Sequence, residues 1–158
     1  MKILCVFLCA AFFWNAAVCL AEGESYREQA RKIFDAADGL NDIVKTNAVD
    51  LAAYDKWYKD FSALFTEFKK SFSNTHKQDE SFGLIREAAD GLASAWSQLK
   101  QAQYSDDQYK ESITLNNVGD AHKWKSSAIV QRKEALEVIT KAVESISSAE
   151  GLLEDEED

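Results

Sequence analysis

Residues 51–72 read LAAYDKWYKDFSALFTEFKKSF, and their spacing decides the fold. Leu51, Tyr54, Tyr58, Phe61, Phe65, Phe68 and Phe72 alternate steps of three and four residues without a miss. Side chains at that spacing share one face of an α-helix, whereas a strand would send them to both faces of a sheet. Trp57 and Leu64 widen the stripe, and Lys56, Lys59, Asp60, Glu67, Lys69 and Lys70 cover the opposite side. A ring-rich stripe of this kind has to be covered by other helices, which predicts a bundle.

Upstream, Ser25-Tyr26-Arg27-Glu28 has the pattern of a capping box, in which hydroxyl and carboxylate each satisfy an orphan backbone donor. The helix it opens carries Ala30, Ile33, Ala37, Leu40 and Val44 at three-four spacing, and Thr46-Asn47 is expected to end it, with Asn47 free to cap the next. Downstream, Ser73-Asn74-Thr75 breaks the pattern, and Thr75 with Gln78 offers a second capping box. A third segment follows through Phe82, Ile85, Ala89, Leu92, Trp96 and Leu99. A fourth is expected from about Ser126 to Leu153, with core positions Ile129, Leu136, Ile139, Val143 and Ile146. Beside them Ala128, Ala135, Ala142 and Ala149 recur every seven residues, a line that lets a neighbouring helix approach closely. Tyr104 to Lys125 has the weakest periodicity, and Ser105-Asp106-Asp107 and Asn116-Asn117 suggest turn or capping chemistry. This stretch is expected to be a long connection holding a short helix near Gln108 to Ile113, or a loop that carries function.

The absence of proline and the scatter of only six glycines agree with long helices rather than a strand-and-turn design. The expected fold is therefore all-α: a four-helix, mainly antiparallel bundle over residues 22–153, followed by an acidic tail at 154–158. Ile33 to Leu40 and Ile85 to Leu92 echo each other, which reads either as two similar helical hairpins or as chance convergence of alanine-rich helix. Each copy contains a glycine, Gly39 or Gly91, that weakens a helix by about 1 kcal/mol relative to alanine. Close approach of a partner helix or a bulky ring is the expected compensation, with Trp57 and Trp96 as candidates to lie over them.

Residues 1–21 have the three parts of an export signal: Lys2, an apolar run from Ile3 to Trp14, and a small-residue region with Cys19 and Ala21 at −3 and −1 of a cleavage site. The alternatives are an uncleaved membrane anchor and a lipoprotein lipidated at Cys19, to which Ala16-Ala17-Val18 is a poor lead-in. Cleavage would leave about 137 residues, enough for one core. It would also remove Cys5, Cys9 and Cys19, hence every cysteine. Without disulfides or an Asn-x-Ser/Thr sequon, a bacterial envelope protein, periplasmic or extracellular, fits better than an animal secreted domain. The net charge of −9 opposes nucleic-acid binding, and a membrane association is expected only through the anchor or lipid alternatives.

Candidate chemistry is sparse. His76, Asp79 and Glu80 have i, i+3, i+4 spacing and are weak metal candidates, the alternative being a solvated helix start. No haem-attachment motif, phosphate loop or nucleophile elbow is present, so no cofactor and no enzymatic activity are expected. Trp124, in Ala121-His122-Lys123-Trp124-Lys125, is either an exposed anchor for a partner or a staple closing the bundle's end; His122, Lys123 and Lys125 are interaction candidates with it. The leading expectation is a non-catalytic interaction or structural module of the envelope with an unidentified protein partner. A carrier of a small apolar ligand among Phe61, Phe65, Phe68 and Trp96 is the alternative, and a metal-binding bundle comes third.

Overall fold

The computed structural model describes residues 24–45 and 48–155. The expected signal at 1–21 and the last three residues of the tail lie outside the described residues. The chain is an all-helical bundle built on four long helices: α1 (Tyr26–Asp38), α3 (Leu51–Phe72), α4 (Glu80–Thr114) and α5 (Val118–Asp155). A single turn, α2 (Leu40–Ile43), and a two-residue antiparallel pairing of β1 (Val44–Lys45) with β2 (Ala48–Val49) join α1 to α3.

The ends of α1 and α3 are set by local chemistry. Ser25 caps α1 with both halves of the box in place: its Oγ accepts from the Glu28 amide at 3.3 Å, and Glu28 Oε2 accepts from the Ser25 amide at 2.8 Å. α1 stops at Asp38, about two turns before the expected Thr46-Asn47, because the chain breaks at Gly39, although Leu40 beyond the break is still buried in the core. The cap of α3 is Asp50, not Asn47; Oδ1 of Asp50 accepts from the amides of Ala52 and Ala53 at 3.0 and 3.1 Å. The proposed Thr75–Gln78 box is not formed either. Asp79 occupies the cap position of α4 without capping it, its carboxylate taken by Nδ1 of His76 at 2.5 Å. The Thr75 hydroxyl instead donates back to the Phe72 carbonyl.

The largest departure lies between residues 104 and 125. In place of a long connection, α4 runs unbroken to Thr114 and α5 starts at Val118, eight residues before the expected Ser126. At 35 and 38 residues these helices are about 52 and 57 Å long, more than one and a half times the length of the 22-residue α3. They form an antiparallel hairpin, the densest helix–helix contact among the described residues. The turn is made by two asparagines. Asn116 takes the left-handed conformation at φ 57°, and the amides of Asn116 and Asn117 donate to the carbonyls of Ile113 and Ser112 at 3.0 and 2.9 Å. That is the double closure of a Schellman motif, with asparagine where glycine is usual. Asn117 then caps α5, its Oδ1 accepting from the Asp120 amide at 3.3 Å.

Small residues hold the hairpin together. Ala121, Ala128, Ala135, Ala142 and Ala149 on α5 are buried, and so are Ser81, Ala88, Ala95 and Ala102 on α4, again every seven residues. Contacts of Gly91 with Ala142 and of Ser105 with Gln131 set a register that brings the two lines level. Side chains this small allow the backbones to approach closely over the whole hairpin.

α1 and α3 cover only its lower half. Phe68 of α3 packs on Phe82 with ring centroids 5.5 Å apart, and the buried Tyr54 hydroxyl donates to the Leu92 carbonyl at 3.1 Å. Asp55 accepts from Trp96 Nε1 at 2.9 Å and from Lys100 Nζ at 2.8 Å. The continuous core takes in Phe82 to Leu99 and Ala135 to Leu153 but leaves out the buried Ala102, Ala121 and Ala128. Below that level the molecule is a four-helix bundle, and above it the hairpin projects as a two-helix stalk.

The two glycines have unlike surroundings. Trp57 does lie over Gly39: a Cβ there would sit 3.5 Å from the indole, whose Nε1 donates to the Ala36 carbonyl at 2.7 Å. Gly91 faces Val138 and Ala142 of α5, not Trp96. One copy of the eight-residue echo thus ends at a helix break, while the other continues as straight helix.

Candidate interaction surface

On α5, Leu136, Ile139, Val143 and Ile146 alternate in three-four steps on the side facing the rest of the bundle, Leu153 follows seven residues on, and all are at least half-buried. Extended toward the turn, the same alternation runs through Arg132, Ile129, Lys125, His122 and Val118. On α4, Phe82, Ile85, Ala89, Leu92, Trp96 and Leu99 continue likewise into Gln103, Asp106, Lys110 and Ile113. Both seams become mixed apolar and charged at the level where α1 and α3 stop. A bidentate ion pair between Arg132 and Asp106 joins them there.

Ile129, expected in the core, is therefore 57% exposed, because no helix of the bundle reaches its level. The other large apolar side chains left exposed among the described residues are Tyr104, Ile113, Leu115, Val118 and Val130. All of them belong to the stalk. Single exposed apolar residues are ordinary on any surface, but their confinement to one projecting segment is not.

One segment of the stalk is cationic in an acidic chain, while Asp106, Asp107 and Glu111 stand on the α4 side of the hairpin. From Ala121 to Lys133, α5 carries Lys123, Lys125, Arg132 and Lys133 and no carboxylate. Trp124 lies well inside α5, neither at a helix entrance nor at an end of the bundle. It is half-buried against the edge of Tyr104, centroids 6.0 Å apart, with the ammonium of Lys123 5.9 Å from its ring. Lys125 Nζ stands 5.9 Å from the ring of Tyr109 across the hairpin. Of the four residues singled out from sequence, His122, Lys123 and Lys125 are exposed, and Trp124 braces the two helices. Sequence reasoning missed Tyr104, Ile113, Leu115, Val118 and Val130. For Ile113 and Val118 the continuing three-four alternation is the available signal, obscured by the charges set into it; Tyr104, Leu115 and Val130 lie off that alternation.

The remaining candidates lie elsewhere. His76 stacks on Tyr26 at 4.2 Å and meets Phe72 edge-on at 5.5 Å, so it closes the aromatic end of the bundle while its Nδ1 engages Asp79. Glu80 is not drawn in, and among the described residues no group of three or more His, Cys, Asp or Glu could hold a metal ion. Phe61 stacks on Trp57 at 5.0 Å and, like Phe68, is 1% exposed. Clefts of about 530 Å³ along Glu80, Leu84 and Glu87 and of about 250 Å³ beside Tyr26, His76 and Ser81 open to solvent. Phe61, Phe65, Phe68 and Trp96 border neither of them.

Electrostatics single out one internal site. Three donors from Lys100, Trp96 and Lys59 hold the Asp55 carboxyl far below the usual carboxylate range. Burial pushes the Tyr54 phenol well above its ordinary value. Both groups tie α3 to α4. Fold and surface together define a helical bundle with a projecting hairpin that exposes aliphatic side chains and carries a basic segment on α5. No family model, curated protein or solved structure matches the chain.

Proposed function

We propose that this chain is an exported, non-enzymatic protein of the cell envelope that serves as an interaction module, with the α4–α5 stalk as its docking element. The observation that carries this reading is the gathering of exposed aliphatic side chains on the stalk, away from a bundle whose own apolar faces are covered. An uncovered apolar patch rimmed by charge is the usual physical signature of a protein-binding surface. Export rests on the reading of residues 1–21. The mature chain would then begin near Glu22 and work without any thiol.

Site-specific photo-crosslinking in the native compartment tests the docking role. Crosslinkers at Ile113, Val118 and Ile129 are expected to capture a discrete partner, and Ile129→Asp should abolish the adduct formed from Ile113. Crosslinkers at Ala63 and Glu67, exposed on α3, serve as controls. Adducts that form equally from both sets of positions, or from neither, would overturn the reading.

A further inference from the structure

Resting on that docking role, we propose that the stalk takes an amphipathic helix of another protein whose apolar stripe is flanked by acidic residues. The shape argument comes from the molecule itself. Val118, His122, Lys125, Ile129 and Arg132 prolong the seam that α1 and its neighbours cover from Leu136 to Leu153. A seam at three-four spacing is the complement of a helix, and helix-in-groove recognition reads anchors at that spacing. Val118 and Ile129 are 60% and 57% exposed, and Ile113 at 53% lies across the hairpin tip from Val118.

The charge argument selects the flanks of the occupant. Lys125 and Arg132 lie on the seam itself, and the thirteen-residue run from Ala121 to Lys133 contains no carboxylate, although the chain carries a net charge of −9. Arg132, although paired with Asp106, keeps its side chain 46% exposed. Carboxylates on the flank of the occupant that faces α5 would be drawn to this segment and turned away from Asp107 and Glu111 on α4.

A second copy of the chain fits poorly. α1 and α3 occupy the same side of the hairpin lower down, so two stalks could meet along this seam only with their directions reversed. That arrangement lays α5 antiparallel along its symmetry mate, and an axis near Ile129 sets Lys125 of each copy opposite Arg132 of the other, which like-charge repulsion disfavours. An anionic membrane would attract the same lysines but would also meet Asp107, Glu111 and Asp120, which are exposed on the stalk.

The test uses the full-length exported protein and two synthetic helical peptides of about five turns. Both have leucine at three-four spacing, one with glutamate flanks and the other with lysine flanks. Fluorescence anisotropy should show the acidic peptide binding at least about tenfold more tightly than the basic one. Ile129→Asp should abolish binding of the acidic peptide, and Lys125→Glu should reverse the preference between the two. Both sites are exposed, so an unchanged circular dichroism spectrum and Tm are expected for each variant. Equal binding of the two peptides, or no binding, overturns the proposal. So does an Ile129-dependent dimer in sedimentation, or Ile129-dependent binding to phosphatidylglycerol vesicles. Failure here with the crosslinked adduct intact would sink the acidic helix and leave the docking role standing.

Discussion

Asn116 and Asn117 sit side by side in the α4–α5 turn yet answer to different constraints. Asn116 is there for its tolerance of positive φ, so Asn116→Ala should destabilise the protein by about 1 kcal/mol, and Asn116→Gly should be close to neutral. Asn117 is there for its side chain, and Asn117→Ala should also cost about 1 kcal/mol, by loss of the α5 cap. Urea denaturation followed by circular dichroism measures both. The two glycines separate in the same assay. Gly91→Ala adds a methyl group 3.5 Å from Val138 and 3.7 Å from Ala142, ordinary contact distances, and relieves a mid-helix glycine. It should stabilise by about 0.5–1 kcal/mol. Gly39→Ala places its methyl 3.3 Å from the Ala36 carbonyl, beside the indole that donates to it, and should gain less or lose stability.

At the level of elements, α3 is held to α4 by an aromatic face and by the Asp55 network. The sign of its pH dependence follows from the lowered carboxyl of Asp55. Such a group contributes its full stabilisation above the unfolded-state carboxylate value, near pH 4, and loses it as pH falls toward the folded value. Thermal unfolding should therefore show a Tm that falls below about pH 4 in the native protein. Asp55→Asn should lower Tm at pH 7 and flatten that acid limb; an unchanged limb would remove Asp55 from the account. How far each element could be read from sequence follows from the width of its buried stripe. α3 was legible because Phe61, Phe65 and Phe68 sit in a broad apolar face. The continuity of α4 and α5 was not, because a two-helix stalk buries only a narrow line, here Ala102, Ser105, Ser112, Ala121 and Ala128. Small and hydroxylated residues in that line give little contrast with the polar surface, and Asn116-Asn117 looked like part of a long connection rather than its whole. The docking surface was only partly legible for a related reason. Lys123, Trp124 and Lys125 drew attention by composition, whereas Ile129 looked like core, since its exposure depends on where α1 and α3 stop.

For the whole molecule, bundle and stalk differ in what holds them. The bundle buries Tyr54, Phe61, Phe68 and Phe82 together with the aliphatics of α1, whereas the stalk buries alanine and serine. Each alanine removes little apolar area from water, so the free energy that resists opening decreases toward the turn. Native-state hydrogen exchange should resolve this gradient, with amides near Ser112 and Ala121 exchanging through partial openings while those near Leu92 and Ile139 wait for global unfolding. Uniform protection along α4 and α5 would contradict it. The alanine line thus makes the stalk a zipper that parts from the tip downward. A partner gripping Val118 and Ile129 would close it, and the slowing of exchange far from the partner's own footprint would record the grip.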